Sequence, residues 1–477
     1  MTTLHLIISI AFIILALRRL DWALQFLLFA LPAYLLRFKI FGIPSTMLEV
    51  MILTVTVVWI GQNWRQIFTG IKNRFSKSGD MKVIEYPFRI EMILVLIVAL
   101  IAVGVAGFTN DALGIWKAYF FEPLLLFIVM INVFGGGEMT IEKKFAKIIW
   151  PLALSALLIS LFAVVQRVTG KFISDPYLAR PDVMRATSIF SYPNAVGLYV
   201  ESILWLAFGY ALAFRESIKD RIGECKCQAY FMIIVFIVSI LAIFSAKSVG
   251  ASLGLFVGVF LFAVLANKIS QKIIVVIILL AALGISAYQP TRQKAIKYIT
   301  LNDFSGQVRR LQWSETWRML NDGHLLTGVG LSQYQEKLKP FHVPGFYFNR
   351  DNDPDFRRKL VIFDQNYRAK YWQPLEIYMY PHNIFLNFWA ELGVAGMLLF
   401  VWLMGRFIYT GLLIMRIVSS SERYLVLGLL SAMITLVVHG MVDVPYFKND
   451  LAVIFWVLFV MMGLMKISVK SLNTGVK

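Results

Sequence analysis

The sequence predicts an all-α polytopic membrane protein of about twelve transmembrane helices (twelve to thirteen), with one large, partly helical loop on the non-cytoplasmic side. Three observations lead there. Hydrophobic residues make up 59% of the chain and charged residues only 16%, where a soluble domain carries about 25% charged. Segments 92–108, 149–165, 194–214, 229–245, 250–266 and 273–288 are apolar on every face rather than along one stripe. At ~1.5 Å rise per residue, each crosses most or all of a ~30 Å hydrocarbon core. Basic residues, finally, gather at every second connection between such segments.

The first apolar run, 4–17, is followed by Arg18 and Arg19 and shows no small-residue cleavage site. It is expected to stay as a short membrane segment rather than to be removed. The basic connections then come in order: Arg65 to Arg89 with Lys72, Arg74, Lys77 and Lys82 between; Lys143, Lys144 and Lys147; Arg215, Lys219, Arg221 and Lys226. Lys268 with Lys272, Arg416 with Arg423, and Lys466 with Lys470 complete the series. The positive-inside rule puts these in the cytoplasm, together with the C-terminus. Segments 37–39, 166–193, 246–249, 289–381 and 441–450 then face outside. The net charge of +18 is thereby spent on orientation in the membrane, and nucleic acid is not an expected partner. Cys225 and Cys227 fall in a cytoplasmic connection, where two thiolates alone cannot complete a tetrahedral zinc site.

Three regions follow: 1–288, with ten transmembrane helices and short loops; 289–381, the large external loop; and 382–477, the C-terminal helices. The loop has helical content, since Val308, Leu311 and Leu320 recur at roughly helical spacing and Trp313 and Trp317 lie four apart. A turn is expected at Gly328-Val329-Gly330, and irregular backbone over 347–358, which is rich in Asn, Asp, Arg and Pro.

Polar residues at the outer membrane boundary carry the chemical information. Pro381-His382-Asn383 opens a membrane helix that also holds Glu391, Gly393 and Gly396. Pro381 suits a first helical turn. His382 then sits near the positive helix end, which favours a neutral base and also attracts anions such as phosphate. Arg185 precedes Tyr192-Pro193-Asn194 and a helix bearing Glu201; its guanidinium is a bidentate fork for phosphate. Ser245-Ala246-Lys247-Ser248 is a very short external turn that pins a cation at the surface. Arg309, Arg310, Trp313 and Trp317 suggest a basic and aromatic wall. Each has a blander reading: a histidine that satisfies a loop carbonyl, an arginine that snorkels to headgroups, a solvated loop helix.

Taken together, these residues resemble the O-antigen ligase and O-antigen polymerase superfamily. The resemblance rests on their order: Arg185-x4-Phe190-x2-Pro193-Asn194-x2-Gly197, the cation at Lys247, Arg310-x2-Trp313 with Gly328-Val329-Gly330, and His382-Asn383-x2-Leu386-x4-Glu391-x-Gly393-x2-Gly396. It spans 185–396, and the hydrophobic frame extends it to both ends. It implies a GT-C-like glycosyltransferase of the bacterial inner membrane, independent of metal and of any cofactor, acting on the periplasmic face. The implied donor is a glycan on undecaprenyl diphosphate, and the implied acceptor is a lipid A–core or another glycan hydroxyl. His382 would be the general base. Arg185 and Lys247 would hold the diphosphate, with Arg310, or its rival Arg309, lining the same pocket. Asn194, Asn383 and Glu391 complete the implied substrate-binding set. The family usually has arginine where this chain has Lys247, which keeps the charge and loses the fork.

Ligation of a preassembled glycan and polymerisation of repeat units need the same pocket chemistry, so both stand at this point. A transporter of lipid-linked sugars is a third class. It would use intramembrane charges such as Glu49, Lys117, Glu122, Glu201 and Glu391 along a path. No internal repeat supports it, and the chemistry-bearing residues gather at one face instead.

Overall fold

The computed structural model describes residues 3–40, 43–75, 86–136, 139–217, 226–362 and 365–474. Two short apolar helices, α1 (Thr3–Arg18) and α2 (Leu20–Phe29), lead to a hairpin of β1 (Arg37–Ile40) and β2 (Ile43–Thr46). Helices α3 (Met47–Phe75), α4 (Arg89–Val105), α5 (Asn110–Trp116), α6 (Glu122–Gly135) and α7 (Ile141–Thr169) follow; a π turn joins α5 to α6. After the single turn α8 (Pro176–Ala179) come α9 (Asn194–Ser217), α10 (Lys226–Ser245), α11 (Val249–Ala266) and α12 (Lys268–Ala287). The large loop holds α13 (Gln289–Ile299), α14 (Phe304–Met319), α15 (Tyr334–Leu338), α16 (Phe356–Ile362) and α17 (Gln365–Tyr371). It also pairs β3 (Gly345–Tyr347) antiparallel with β4 (Trp372–Pro374). The chain ends in α18 (Ile384–Ile414), α19 (Ser420–Gly440) and α20 (Asn449–Thr474).

The protein is all-α and polytopic, as its composition predicts. Among the described residues, ten helical segments are long and apolar enough to cross a membrane. Adding the shorter α1, α2 and α4 brings the apolar segments to the upper end of the expected range. The loop expected to be irregular over 347–358 is so only over 348–355, because β3 ends at Tyr347 and α16 starts at Phe356.

The bundle has a centre and a rim. In α9, 89% of the apolar window is buried inside the protein, against 6% in α12. Small residues make the centre possible. A Cβ on Gly250 would strike the His439 ring, one on Gly254 the Thr435 carbonyl, and one on Gly258 the Trp205 ring. Close approach of α9, α11 and α19 thus depends on glycine, as is usual where lipid supplies no hydrophobic drive between helices. Interhelical hydrogen bonds add to the packing: Trp205 Nε1 donates to Thr435 Oγ1 at 2.8 Å, and Ser155 and Tyr199 share a hydroxyl contact at 2.7 Å.

Side-chain contacts tie the helices together at both ends of the bundle. Lys147 pairs with Asp21 at 3.2 Å, Arg406 with Glu91 at 3.4 Å, and Arg423 donates to the Leu265 carbonyl, all towards one end. Lys117 pairs with Glu49, and Tyr446 donates to the Tyr119 carbonyl, both at the opposite end. In right-side-out membrane vesicles, a membrane-impermeant thiol reagent is expected to label Asn352→Cys and to spare native Cys225 and Cys227. Cys227 is exposed, so its protection would reflect sidedness; labelling of both groups from one side would overturn the register. Cys225 and the 76–85 connection lie outside the described residues.

Helix α18 is broken where the sequence has Gly393, at φ 74° and ψ 179°. The break leaves backbone groups without intrahelical partners, and the loop supplies them. Val329 N–H donates to the Ala390 carbonyl at 2.7 Å, and Val394 N–H donates to the Leu326 carbonyl at 3.2 Å. Gly328 and Gly330 both have positive φ. A Cβ on Gly328 would sit 2.5 Å from the Ala390 carbonyl oxygen. The Gly-Val-Gly turn and the Glu-x-Gly element are therefore one structural unit.

Candidate functional site

Arg185 reaches the site because its loop is locked from behind. Buried Gln166 uses its whole amide: Oε1 accepts from the Thr187 and Ser188 N–H groups, and Nε2 donates to the Phe172 and Ser188 carbonyls. This fixes Ser188 at positive φ and points Arg185 at the short turn before α11. There Arg185 Nε donates to the Ala246 carbonyl at 2.9 Å, and Nη2 reaches the Lys247 carbonyl at 3.4 Å. Lys247 itself has φ 50°, and its Nζ donates to the Val183 carbonyl at 2.6 Å. The two cations are thus neighbours that brace each other's loops.

Arg185 Nη2 also donates to Asn194 Oδ1 at 2.9 Å, and Asn194 Nδ2 donates to Asp443 Oδ2 at 2.9 Å. Only one amide orientation serves an arginine on one side and a carboxylate on the other. Asp443 faces two histidines. Its Oδ1 lies 3.5 Å from His382 Nδ1, and its Oδ2 lies 4.0 Å from His439 Nε2. His439 is tied on its other nitrogen to Glu201, at 2.7 Å. Burial pushes the Asp443 carboxyl up, but contact with His382, the charges of both histidines and the Val444 N–H outweigh it and hold the group below the ordinary carboxylate range. A near-fully buried carboxylate is thereby kept ionised behind His382.

His382 departs from its expected place. The helix begins at Ile384, capped by Asn383, whose Oδ1 accepts from the Leu386 N–H at 2.9 Å. Pro381 and His382 therefore precede the helix instead of forming its first turn. His382 takes the left-handed conformation, φ 45°. Asx capping explains the shift: the side chain of Asn383 satisfies an orphan helical N–H that proline could not. Trp313 Nε1 braces the segment by donating to the Pro381 carbonyl at 2.9 Å, and Asn383 Nδ2 donates to the Met441 carbonyl at 3.0 Å. The His382 ring is flanked edge-on by Tyr378 and Tyr380, with centroids 5.4 and 5.2 Å away. With 22% of its side chain exposed, it remains reachable.

Of the adjacent arginines, Arg309 rather than Arg310 stands at the site. Arg309 Nε donates to the Val442 carbonyl, next to Asp443, at 2.8 Å. Arg310 points to Asn302 Oδ1 on the exposed side, because successive helical residues project about 100° apart. Burial lowers the affinity of Arg309 for its proton, while Asp443 and Asp303 oppose that effect. Burial lowers Arg185 as well, helped by the nearby Arg309 charge. A guanidinium stays protonated regardless. Trp317 packs edge-on against Trp389 at 5.6 Å, so the expected aromatic wall serves as a clamp between α14 and α18. Glu391 lies one and a half turns beyond Leu386 on α18, buried, accepting the Ser332 N–H at 2.7 Å.

Four residues of this neighbourhood are absent from the expected set: Gln166, His439, Asp443 and Lys448. Asp443 follows His439 by four residues in the turn just after α19, and its Oδ2 comes within 4.0 Å of the His439 ring. Lys448 is buried among the rings of Tyr34, Phe190 and Tyr192, at 4.9, 4.4 and 5.7 Å, with Asp450 3.7 Å away. Burial lowers its proton affinity against the pull of Asp450. Lysine beside an aspartate two residues on is a common surface pattern, so the sequence gives no hint of this cage.

Comparison with known proteins gives one family: residues 234–401 match the O-antigen ligase family. That stretch includes Lys247, Arg309, Arg310, His382, Asn383 and Glu391, and it leaves Arg185, Asn194 and Asp443 outside. No curated protein matches the chain.

Proposed function

We propose that this chain, an O-antigen ligase/polymerase-type membrane protein by its match over 234–401, is a glycosyltransferase. It moves a glycan from an undecaprenyl-diphosphate carrier to an acceptor hydroxyl, of lipid A–core or a similar glycan, on the periplasmic face of the inner membrane. The observation that carries this reading is the Asn194–Asp443 bridge, which ties a phosphate-type arginine, Arg185, to a reachable histidine, His382. Displacement of a lipid diphosphate needs both groups: a base at the nucleophile and positive charge at the departing oxygens.

Asp443 Oδ1 lies 3.5 Å from Nδ1 of His382; with the ring proton on that nitrogen, Nε2 keeps its lone pair. Nε2 takes the proton of the acceptor hydroxyl as its oxygen attacks the anomeric carbon. The bond from that carbon to the diphosphate oxygen breaks, and its electron pair leaves with the diphosphate. Arg185, Lys247 and Arg309 stabilise the charge so released. His382, now an imidazolium, is stabilised by Asp443 until its proton is lost to solvent.

The test is transfer in vitro from a lipid-diphosphate donor, with detergent-purified protein and a chelator present. Transfer under those conditions supports the proposal; activity lost on chelation would overturn its metal-free form.

Lys247→Arg is expected to keep activity within about threefold of wild type, since arginine supplies the same charge and adds a fork. Lys247→Ala is expected to lower donor use by about tenfold. Equal loss in both variants, measured as kcat/KM for the donor, would remove Lys247 from the diphosphate site.

A further inference from the structure

A cavity of about 90 Å³ opens beside the site, lined among others by Tyr119, Tyr334, Tyr380, Phe447, Asn387 and Glu391. One water needs roughly 10–15 Å³ on this measure, so several water-sized groups fit. Its polar groups include an amide and a carboxyl that can bond a ligand with hydroxyls. Asn387 is only 1% exposed, and its Oδ1 has no hydrogen-bond partner among the described residues. An unsatisfied buried acceptor is costly unless something donates to it. Glu391, 5% exposed, commits one carboxylate oxygen to the Ser332 N–H at 2.7 Å. Tyr119, Tyr334, Tyr380 and Phe447 give the cavity aromatic walls, with Ile115, Met379, Ser332 and Gln335 between them, and aromatic faces suit the C–H face of a sugar ring. Tyr380 connects the two places: it lines the cavity, and its ring centroid lies 5.2 Å from that of His382.

We propose that this cavity is a sugar subsite, which takes one pyranose ring of a substrate glycan and receives one of its hydroxyl protons as a hydrogen bond on Asn387 Oδ1. The proposal rests on the glycosyl-transfer reading for the identity of the glycan, but the subsite itself is a property of the fold. The ring could come from the donor glycan or from the acceptor, and the two are separated by which KM moves. With Asn387→Leu, the KM for one of the two glycans is expected to rise about five- to tenfold, with kcat within about twofold. A rise for the acceptor alone places the acceptor ring there; a rise for the donor alone places the donor ring. Asn387→Ala, which preserves helix propensity, gives the same readout if leucine prevents insertion. The alternative is a water-filled void, for which both KM values stay unchanged while thermal stability rises, because the replacement removes an unpaired acceptor. That result would overturn the subsite.

A second measurement is independent of turnover. Saturation-transfer NMR with methyl glycosides of glucose, galactose and N-acetylglucosamine is expected to show contact with the wild-type protein and its loss in Asn387→Leu. If wild-type protein transfers no glycan yet binds these glycosides through Asn387, the transfer reading fails and the subsite stands. If transfer occurs but neither KM nor glycoside contact depends on residue 387, the subsite fails and the transfer reading stands.

Discussion

Replacing His382 with alanine is expected to lower glycan transfer by about 10²–10⁴-fold, the usual contribution of a positioned general base, with folding and membrane insertion intact. The side chain is 22% exposed and caps no helix, because Asn383 does that work, so little packing is lost. The fall should appear in kcat, with donor binding largely preserved, since the diphosphate contacts come from Arg185 and its neighbours. Asp443→Asn should act in the same direction by turning the histidine's partner from an acceptor into a partial donor. If Asp443 works through His382, the double variant will be hardly worse than His382→Ala alone, because residues acting as one unit are not additive. A structural histidine would give the reverse: poor expression or a lowered Tm, with near-normal turnover per folded molecule. Wild-type-like transfer by well-folded His382→Ala would sink the mechanism.

Arg185→Ala is expected to lower kcat/KM for the lipid-linked donor by about 10²–10³-fold, comparable to the loss of one preorganised donor at a developing charge. Part of that effect is indirect. Arg185 also donates to Asn194, which donates in turn to Asp443, so its removal frees the amide that frames the base. Arg185→Lys separates the two contributions. A lysine restores positive charge but cannot donate to Ala246 and Asn194 in the same fork geometry, and partial rescue, about tenfold above the alanine variant, is expected. If Arg185→Ala transfers at the wild-type rate at subsaturating donor, the diphosphate does not bind there.

The parts of this protein legible in its sequence are those set by composition and charge. Uniformly apolar runs read as membrane segments because backbone polar groups are then satisfied internally, and Lys and Arg at alternate connections set the direction expected of them. The motif order likewise brought Arg185, Lys247, Asn194 and His382 to one place. What was hidden is relational. Asp443 reads as one acid in a short external turn until the fold sets it between two histidines. Arg309 and Arg310 are indistinguishable by type, and only the phase of α14 decides between them. The helix start was misplaced by two or three residues because proline and Asx signals overlap at 381–383, and the asparagine side chain prevails. Gln166 reads only as the first residue of the segment 166–193, and its four hydrogen bonds depend on residues up to 22 positions away.

The break at Gly393 has a consequence for biogenesis. A ribosome makes residues 326–330 before it makes 384–414, so the turn that completes the broken helix exists before the helix does. Insertion of α18 is then less a partition of one apolar segment than a docking reaction onto a waiting template. Completion of that helix then depends on a loop turn roughly sixty residues upstream being in place to meet it.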